Sequence, residues 1–170
     1  NRPRWKTRAT SSPSWLRKNV LRGLARLRGP AGPPDGSVPD WVEEDLGRRL
    51  LGLDGGLGLF RWVHLLDAFR RAGAPRSVLS VGSGEGLHEA LLARHFSTTS
   101  VCGVDLRQPQ VELSLPNLEY LQGNLLDPEF AARLPPADLV YSIECLEHIV
   151  DDRGVFARMV QLVRPGGWIY

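Results

Sequence analysis

A glycine-rich segment connects an apolar run that ends at Val81 with an apolar-periodic run that begins at Leu87. Its sequence, Gly82-Ser83-Gly84-Glu85-Gly86, places three glycines at alternate positions. Glycine allows a ligand to approach the backbone, and the N-terminus of a following helix points amide groups at that ligand. A dinucleotide fingerprint, G-x-G-x-x-G, would need glycine where Leu87 stands. The segment predicts a nucleotide-type site, and its alternative is a tight turn with a structural role only.

Polar residues occupy matching places after the next two apolar runs. Asp105 follows VCGV, and Asn124 follows LQG. If these runs are strands, Asp105 can accept hydrogen bonds from both hydroxyls of a ribose seated over the glycines. Asn124 can accept from an adenine amino group, with Asp127 as a competitor, and Leu125 can offer a backbone amide or an apolar surface. The alternative for Asp105 is an exposed residue that opens a loop.

A third group of chemically capable side chains consists of Glu144, Glu147 and His148. Helical spacing would put Glu144 and His148 on one face, because they are four residues apart. His148 is then the candidate acid or base catalyst, with Glu144 beside it. The alternatives are a structural role at the start of a helix and a site for a divalent metal ion.

The elements that must position these residues follow from the apolar pattern. From residue 77 onward, short apolar runs alternate with helical patterns, which is typical of a parallel α/β sheet. Strands are predicted over 77–81, 100–104, 118–121, 138–142 and 168–170. Helices are predicted over 87–96, 128–134 and 152–163.

Two further helices are predicted before residue 77. Asp40 and Glu43 form a capping box for a helix that reaches about Leu51, and an apolar face between Leu59 and Phe69 predicts the second. A Gly- and Pro-rich segment over 29–36 marks a linker. We therefore divide the chain into a basic arm with its linker (1–36), a helical preface (37–76) and the part that carries the candidate site (77–170).

The charges are distributed unevenly along the chain. Residues 1–30 hold nine of the 21 Lys and Arg residues and none of the 19 Asp and Glu residues, which leaves a net charge of −7 on the remainder. Apolar residues at helical spacing within this arm predict a short basic amphipathic helix; they are Leu16, Val20, Leu24 and Leu27. Such an arm suits phosphate-rich partners or anionic lipid. The alternatives are a solvated tail, an interdomain linker or a packing face against its own domain.

The composition is typical of a globular domain with one core, since 42% of the 170 residues are hydrophobic and 24% are charged. No apolar run is long enough to cross a bilayer. Cys102 and Cys145 lack metal-ligand spacing, so we expect buried free thiols. We expect a cytoplasmic protein, and import into an organelle stays open because the Arg-rich start resembles a transit peptide. The ends at Asn1 and Tyr170 lead us to expect a fragment.

Five motifs occur in order along the chain: VLSVGSGEG, VCGVDL, LQGNLLD, ADLVYSIECLEHI and LVRPGGWIY. This series resembles that of class I S-adenosylmethionine-dependent methyltransferases, and above all their type 11/12 domains, over about residues 77–170. The resemblance implies a Rossmann-like, doubly wound and mainly parallel α/β sheet, here without its last strands and preceded by N-terminal helices. It also implies S-adenosylmethionine as the cofactor, bound at the carboxyl ends of the first strands, and methyl transfer to a small-molecule acceptor.

By position, the resemblance implies cofactor-binding roles for eleven residues. The glycine segment would line the methionine moiety, the acid after the second strand would bind the ribose, and the others would border the adenine or flank the methyl donor. The residues are Ser80, Gly82, Ser83, Gly84, Gly86, Asp105, Leu106, Asn124, Leu125, Ser142 and Ile143. Family members often carry an acid where this chain has Ser80, and often an Asp where it has Asn124. Serine can still hydrogen-bond, directly or through water.

Three other functions stay open. The Glu144, Glu147 and His148 set is similar to the metal-binding motif of small-RNA terminal 2′-O-methyltransferases, and the basic arm would suit an RNA substrate. The PGG turn at residues 165–167 fits the small-molecule enzymes better. A nicotinamide-dependent oxidoreductase is disfavoured by Leu87. The last alternative is a relative that binds S-adenosylmethionine without catalysis.

Overall fold

The computed structural model describes residues 57–109 and 114–170. The elements are α1 (Leu57–Arg71), β1 (Ser77–Val81), α2 (Leu87–His95), β2 (Ser100–Asp105), β3 (Leu118–Gln122), α3 (Pro128–Ala131), β4 (Ala137–Tyr141), a 3₁₀ helix (Leu146–His148), α4 (Asp152–Leu162) and β5 (Val163–Ile169). The chain divides into two compact units between Val63 and His64, and the whole sheet lies in the second. The predicted basic arm and the helix predicted over 40–51 lie outside the described residues.

All five strands are parallel and follow the spatial order β3-β2-β1-β4-β5. The chain moves outward from β1 through β2 and β3, and then returns to the other side of β1 for β4 and β5. The predicted doubly wound parallel sheet is confirmed. The order of the strands reverses between β1 and β4, and open α/β sheets bind ligands in the crevice outside the carboxyl ends of the strands at such a point.

The central strand β1 shows why the sheet forms as it does. Side chains alternate along a strand, so Leu79 and Val81 face one side of the sheet while Val78 and Ser80 face the other. Leu79 and Val81 join a core with side chains of α3 and α4, such as Phe130. Because the sheet is covered on both faces, four of the five β1 residues are fully buried. This burial explains the nearly continuous apolar run in the sequence.

Polar residues fix where α3 and α4 begin. The Asp127 carboxylate accepts a hydrogen bond from the Glu129 amide at 2.9 Å and caps α3. The Asp151 carboxylate accepts one from the Gly154 amide at 3.0 Å and caps α4. None of the described helices is long and apolar enough to span a membrane.

Two elements after residue 77 have a boundary that differs from the sequence prediction by more than one residue. Helix α3 ends at Ala131 instead of residue 134, because the amides of Arg133 and Leu134 donate to carbonyls three residues back, which continues the chain as 3₁₀-type turns. Strand β5 begins at Val163 instead of residue 168 and contains an irregularity: Val163 pairs with Ala137, whereas Trp168 pairs with Leu139. The predicted PGG turn is therefore a bulge within β5, where Pro165 has no amide hydrogen to donate.

Asp138 ties together the amino ends of β1 and β4. Its Oδ2 accepts the amides of Arg76 and Ser77 at 2.9 and 3.0 Å, and its Oδ1 accepts from the Arg164 guanidinium at 3.0 Å. Burial acts to raise the pKa of Asp138, but these hydrogen bonds outweigh it and hold the pKa below its usual value of 3.8. The anionic form therefore stabilises this end of the sheet.

Candidate functional site

A cavity of about 640 Å³ opens at the carboxyl end of the sheet. Its walls come mainly from the end of β1 with the glycine segment, residues 104–108 at the end of β2, residues 123–125 after β3 and, after β4, Glu144, Cys145, His148 and Ile149. The cavity thus lies at the reversal of strand order between β1 and β4. Such a position is where open α/β sheets bind their ligands.

The glycine segment forms one wall because its backbone adopts conformations that other residues avoid. Gly82, Gly84 and Gly86 have φ angles of +79°, +55° and +82°. A Cβ at Gly82 would overlap the Cys145 side chain, whereas a Cβ at Gly84 would meet no atom within 4 Å. Gly82 is therefore required by packing and conformation together, and Gly84 exposes bare backbone to the cavity.

Asp105 lies at the end of β2 and holds the loops on both sides of it. Its Oδ2 accepts the Gly84 amide at 2.8 Å, and its Oδ1 accepts the Arg107 amide at 3.0 Å. A carboxylate offers about four acceptor positions, so about two remain after these bonds. Because Asp105 lines the cavity, those positions are available to hydroxyl groups of a ligand.

Leu106 is a large apolar side chain that lines the cavity while 67% exposed. Its backbone is fixed by Gln122, whose side-chain amide donates to the Leu106 carbonyl at 3.0 Å. Gln108 in turn donates to the Gln122 side-chain oxygen at 3.3 Å. An apolar surface held in place at a cavity wall suits a flat, apolar ligand group, such as a purine ring.

Asn124 and Leu125 form the wall after β3. The Asn124 side-chain oxygen accepts the Leu126 amide at 3.0 Å, which fixes the orientation of the side chain. This oxygen keeps a second lone pair for a ligand donor. Leu125 is buried and contributes apolar surface. Asp127, predicted as a competitor of Asn124, caps α3 instead and does not line the cavity.

Glu144 and His148 reach the same cavity, although the predicted helical face between them is wrong. Glu144 has a φ angle of +52° and lies before the 3₁₀ helix that contains His148. The turn at Glu144 therefore brings the two residues to the wall without helical spacing. A non-glycine residue in this left-handed region is strained, and such strain is concentrated at functional sites.

A scan against protein-family models matches residues 58–170 to a model described as a methyltransferase domain. This match covers more than half of the chain. The chain belongs to this methyltransferase family. The match begins within α1, and it argues against the nicotinamide-dependent oxidoreductase.

Curated methyltransferases share this part of the chain. The ubiquinone biosynthesis O-methyltransferase of Thiobacillus denitrificans is 34% identical over an alignment of 117 residues, and the match covers 65% of this chain and 47% of that protein. An uncharacterized methyltransferase of Mycobacterium bovis is 36% identical over 108 residues, 61% of this chain and 52% of that protein. A methyltransferase of Strobilurus tenacellus is 29% identical over 97 residues, and the match covers 57% of this chain and 35% of that protein. The chain thus spans about a third to a half of these relatives.

Solved methyltransferase structures share the fold. The N-methyltransferase NodS of Bradyrhizobium japonicum, in complex with S-adenosyl-L-homocysteine, superposes with a TM-score of 0.57 at 21% identity, covering 73% of this chain and 68% of that one. Human N-acetylserotonin methyltransferase, in complex with SAM, superposes with a TM-score of 0.54 at 16% identity. The match covers 91% of this chain and 47% of that one. These similarities confirm the predicted Rossmann-like methyltransferase fold.

The structure brings eight of the thirteen predicted site residues of this methyltransferase domain to one cavity. They are Gly82, Gly84, Asp105, Leu106, Asn124, Leu125, Glu144 and His148. The cofactor and catalytic roles assigned to them stay predictions. The residues without a part in the cavity wall are Ser80, Ser83, Gly86, Ser142 and Ile143.

Local structure explains why four of these five residues do not line the cavity. Ser80 is buried in β1 on the face opposite Leu79 and Val81. The Ser83 carbonyl accepts the Gly86 amide at 2.9 Å, so both residues serve the turn into α2. The Ser142 amide donates to the Tyr170 carbonyl at 3.0 Å, which continues the pairing of β4 with the end of β5.

The arrangement of Glu144, Glu147 and His148 does not favour the metal alternative. Within 57–109 and 114–170, no three His, Cys, Asp or Glu side chains form a group that could hold a metal ion. Glu147 is exposed and does not line the cavity that Glu144 and His148 share. Successive side chains of a 3₁₀ helix lie about 120° apart, which separates Glu147 from His148.

Both cysteines are free and half-buried, less buried than expected. Burial raises the pKa of Cys102 to about 12 and also raises that of Cys145, so both are uncharged thiols at neutral pH. Sequence reasoning missed the place of Cys145 at the cavity wall, against Gly82. Its position directly after Glu144 was the only available signal.

Proposed function

We propose that the protein transfers a methyl group from S-adenosylmethionine to a small-molecule acceptor. The observation that carries this proposal is the Asp105 carboxylate, which lines a cavity beside the glycine segment at the reversal of strand order. Membership of the methyltransferase family supports the reaction. The small-molecule acceptor is supported by a relative whose name assigns it to ubiquinone biosynthesis.

The cavity residues fit the cofactor in shape and chemistry. The volume of about 640 Å³ lies within the range of small-molecule pockets, roughly 300–1,000 Å³. Asp105 keeps acceptor positions for the ribose hydroxyls after it binds the Gly84 and Arg107 amides. Leu106 offers exposed apolar surface for the adenine, and Asn124 keeps a lone pair for its amino group. The bare backbone at Gly84 leaves room for the methionine moiety.

When bound, S-adenosylmethionine supplies an electrophilic methyl group on a sulfonium sulfur. The chain must then align an acceptor and remove its proton. His148 lies on the cavity wall and would accept that proton at an imidazole nitrogen, with Glu144 on the same wall to stabilise the resulting imidazolium. Val155 and Ile149 add apolar surface that excludes water from the reacting groups.

Turnover assays test this proposal. The protein is incubated with S-adenosylmethionine and panels of phenols, aliphatic alcohols and amines, and formation of S-adenosylhomocysteine is followed. We expect turnover with one acceptor class. His148→Ala should lower the turnover rate by about 10²- to 10⁴-fold and leave the affinity for S-adenosylhomocysteine unchanged. Glu147→Ala, a neighbouring change outside the cavity, is the matched control and should keep full activity. Binding of S-adenosylhomocysteine without turnover of any acceptor would favour the non-catalytic alternative.

A further inference from the structure

A buried acid, Glu89, lies beneath the glycine segment and has no part in the proposed mechanism. It stands in the first turn of α2 and is 1% exposed. Its Oε1 accepts a hydrogen bond from the Tyr141 hydroxyl of β4 at 2.6 Å. The Ser80 hydroxyl of β1 also hydrogen-bonds the Glu89 carboxyl. The other oxygen, Oε2, is buried without a hydrogen-bond partner among the described residues.

The surroundings of Glu89 do not suit a negative charge. A buried carboxylate needs a cation or a full set of donors, because it has lost its hydration. Within the described residues, the groups that interact with Glu89 from the four neighbouring strands are all neutral or acidic: Ser80 in β1, Cys102 and Asp105 in β2, Tyr120 in β3 and Tyr141 in β4.

Burial raises the pKa of the Glu89 carboxyl, and the charge of Asp105 raises it further. The hydrogen bonds from Ser80, Tyr141 and the Glu89 amide act in the opposite direction without reversing the shift. A proton on Oε2 would remove the negative charge from the side of the carboxyl that no donor stabilises.

The position of Glu89 connects this chemistry to the cavity. Ser80 precedes Gly82 by two residues, and Glu89 follows Gly86 by three, so the Ser80–Glu89 contact joins the two ends of the glycine segment. Tyr141 adds β4, the strand on the other side of the reversal point. The three side chains thus connect α2 to β1 and β4, two of the strands that lead into the cavity wall.

We propose that Glu89 is a positioning residue that works as an uncharged carboxylic acid and holds the glycine segment in its ligand-binding conformation. This inference rests on the proposed function, because the glycine segment forms a wall of the proposed cofactor site. Glu89 acts on that site through the backbone of the segment, since it does not itself line the cavity.

Two substitutions separate shape from charge. Glu89→Gln keeps the shape and hydrogen-bonding capacity of a neutral acid, whereas Glu89→Ala removes both. We expect Glu89→Gln to bind S-adenosylhomocysteine within about threefold of the wild type, and Glu89→Ala to bind at least about tenfold more weakly, by calorimetry below the melting temperature of every variant. Failure of both variants would show that the charge is needed and would overturn the proposal, as would wild-type affinity in Glu89→Ala.

Thr99→Val is the matched control for the loss of a buried polar contact. Thr99 is 4% exposed and donates to the Pro75 carbonyl at 3.0 Å, at the amino end of the sheet away from the cavity. We expect this variant to melt at a lower temperature and to keep wild-type affinity for S-adenosylhomocysteine. A loss of affinity equal to that of Glu89→Ala would reduce the role of Glu89 to general stability and overturn the proposal.

Hydrogen exchange tests the same inference without a ligand. The amides of Gly82, Ser83 and Gly86 are hydrogen-bonded to backbone carbonyls, so their exchange is slowed in the folded protein. Glu89→Ala should speed their exchange more than that of β5 amides, and Glu89→Gln should not. Equal acceleration throughout the sheet would overturn the proposal. If the wild type binds no S-adenosylhomocysteine, the proposed function fails, and the exchange rates still decide the role of Glu89.

Discussion

Replacing Asp105 with alanine removes a carboxylate that serves both the loops and the proposed ribose site. The lost protein contacts are the Gly84 amide at 2.8 Å and the Arg107 amide at 3.0 Å. Hydrogen bonds to charged groups contribute about 1.5–3 kcal/mol each, and water partly replaces them at a half-exposed site. We therefore expect a net loss of about 1.5–3 kcal/mol in cofactor binding, which corresponds to roughly a 10- to 150-fold rise in Kd.

Calorimetric titration with S-adenosylhomocysteine measures this loss. Asp105→Asn keeps one acceptor oxygen and should give an intermediate Kd. Asp127→Asn is the matched control, because the Asp127 carboxylate also accepts a backbone amide, from Glu129 at 2.9 Å, but lies outside the cavity wall. It should bind like the wild type. Unchanged affinity in Asp105→Ala, or an equal loss in Asp127→Asn, would refute the ribose assignment.

Three further changes test other parts of the site and fold. Gly82→Ala should lower the free energy of unfolding by about 2–4 kcal/mol in denaturant titrations, because the new Cβ overlaps Cys145 and the φ angle is +79°. A decrease of less than about 1 kcal/mol would contradict this packing. Leu106→Asn should keep the free energy of unfolding within about 0.5 kcal/mol of the wild-type value, since Leu106 is 67% exposed. The variant should bind S-adenosylhomocysteine several-fold more weakly, because it loses apolar surface at the cavity wall. Unchanged binding would show that Leu106 has no part in the site. Asp138→Asn should have a lower free energy of unfolding than the wild type above pH 4, because the lowered pKa of native Asp138 means that folding favours its ionised form. The difference should disappear as the pH falls through that native pKa, which lies below 3.8. A difference that persists in acid would contradict the role of the Arg164 contact.

The sequence was sufficient for the elements whose signals are local. The bounds of β1 were predicted correctly, because a strand covered on both faces carries a nearly continuous apolar run. The parallel arrangement followed from the alternation of strands with helical patterns. Residues directly after the first three strands could be placed at one edge, and the cavity does join Gly82, Asp105 and Asn124.

Features that depend on long-range packing or unusual backbone could not be predicted. The contact of Cys145 with Gly82 joins two segments more than sixty residues apart, and no spacing rule connects them. The positive φ of Glu144 replaced an expected helical turn, and only the folded chain shows it. Glu89 occupies an ordinary first-turn position for a helix, so its burial follows only from the strands packed against α2.

Titration of the wild-type protein with S-adenosylhomocysteine, with NADH as the control ligand, shows which cofactor the cavity binds. The glycine segment lacks the third glycine of the dinucleotide fingerprint, and Asp105 keeps acceptor positions for ribose hydroxyls beside it. We expect saturable binding of S-adenosylhomocysteine with one site per chain, and no binding of NADH. Binding of NADH with no binding of S-adenosylhomocysteine would contradict this expectation.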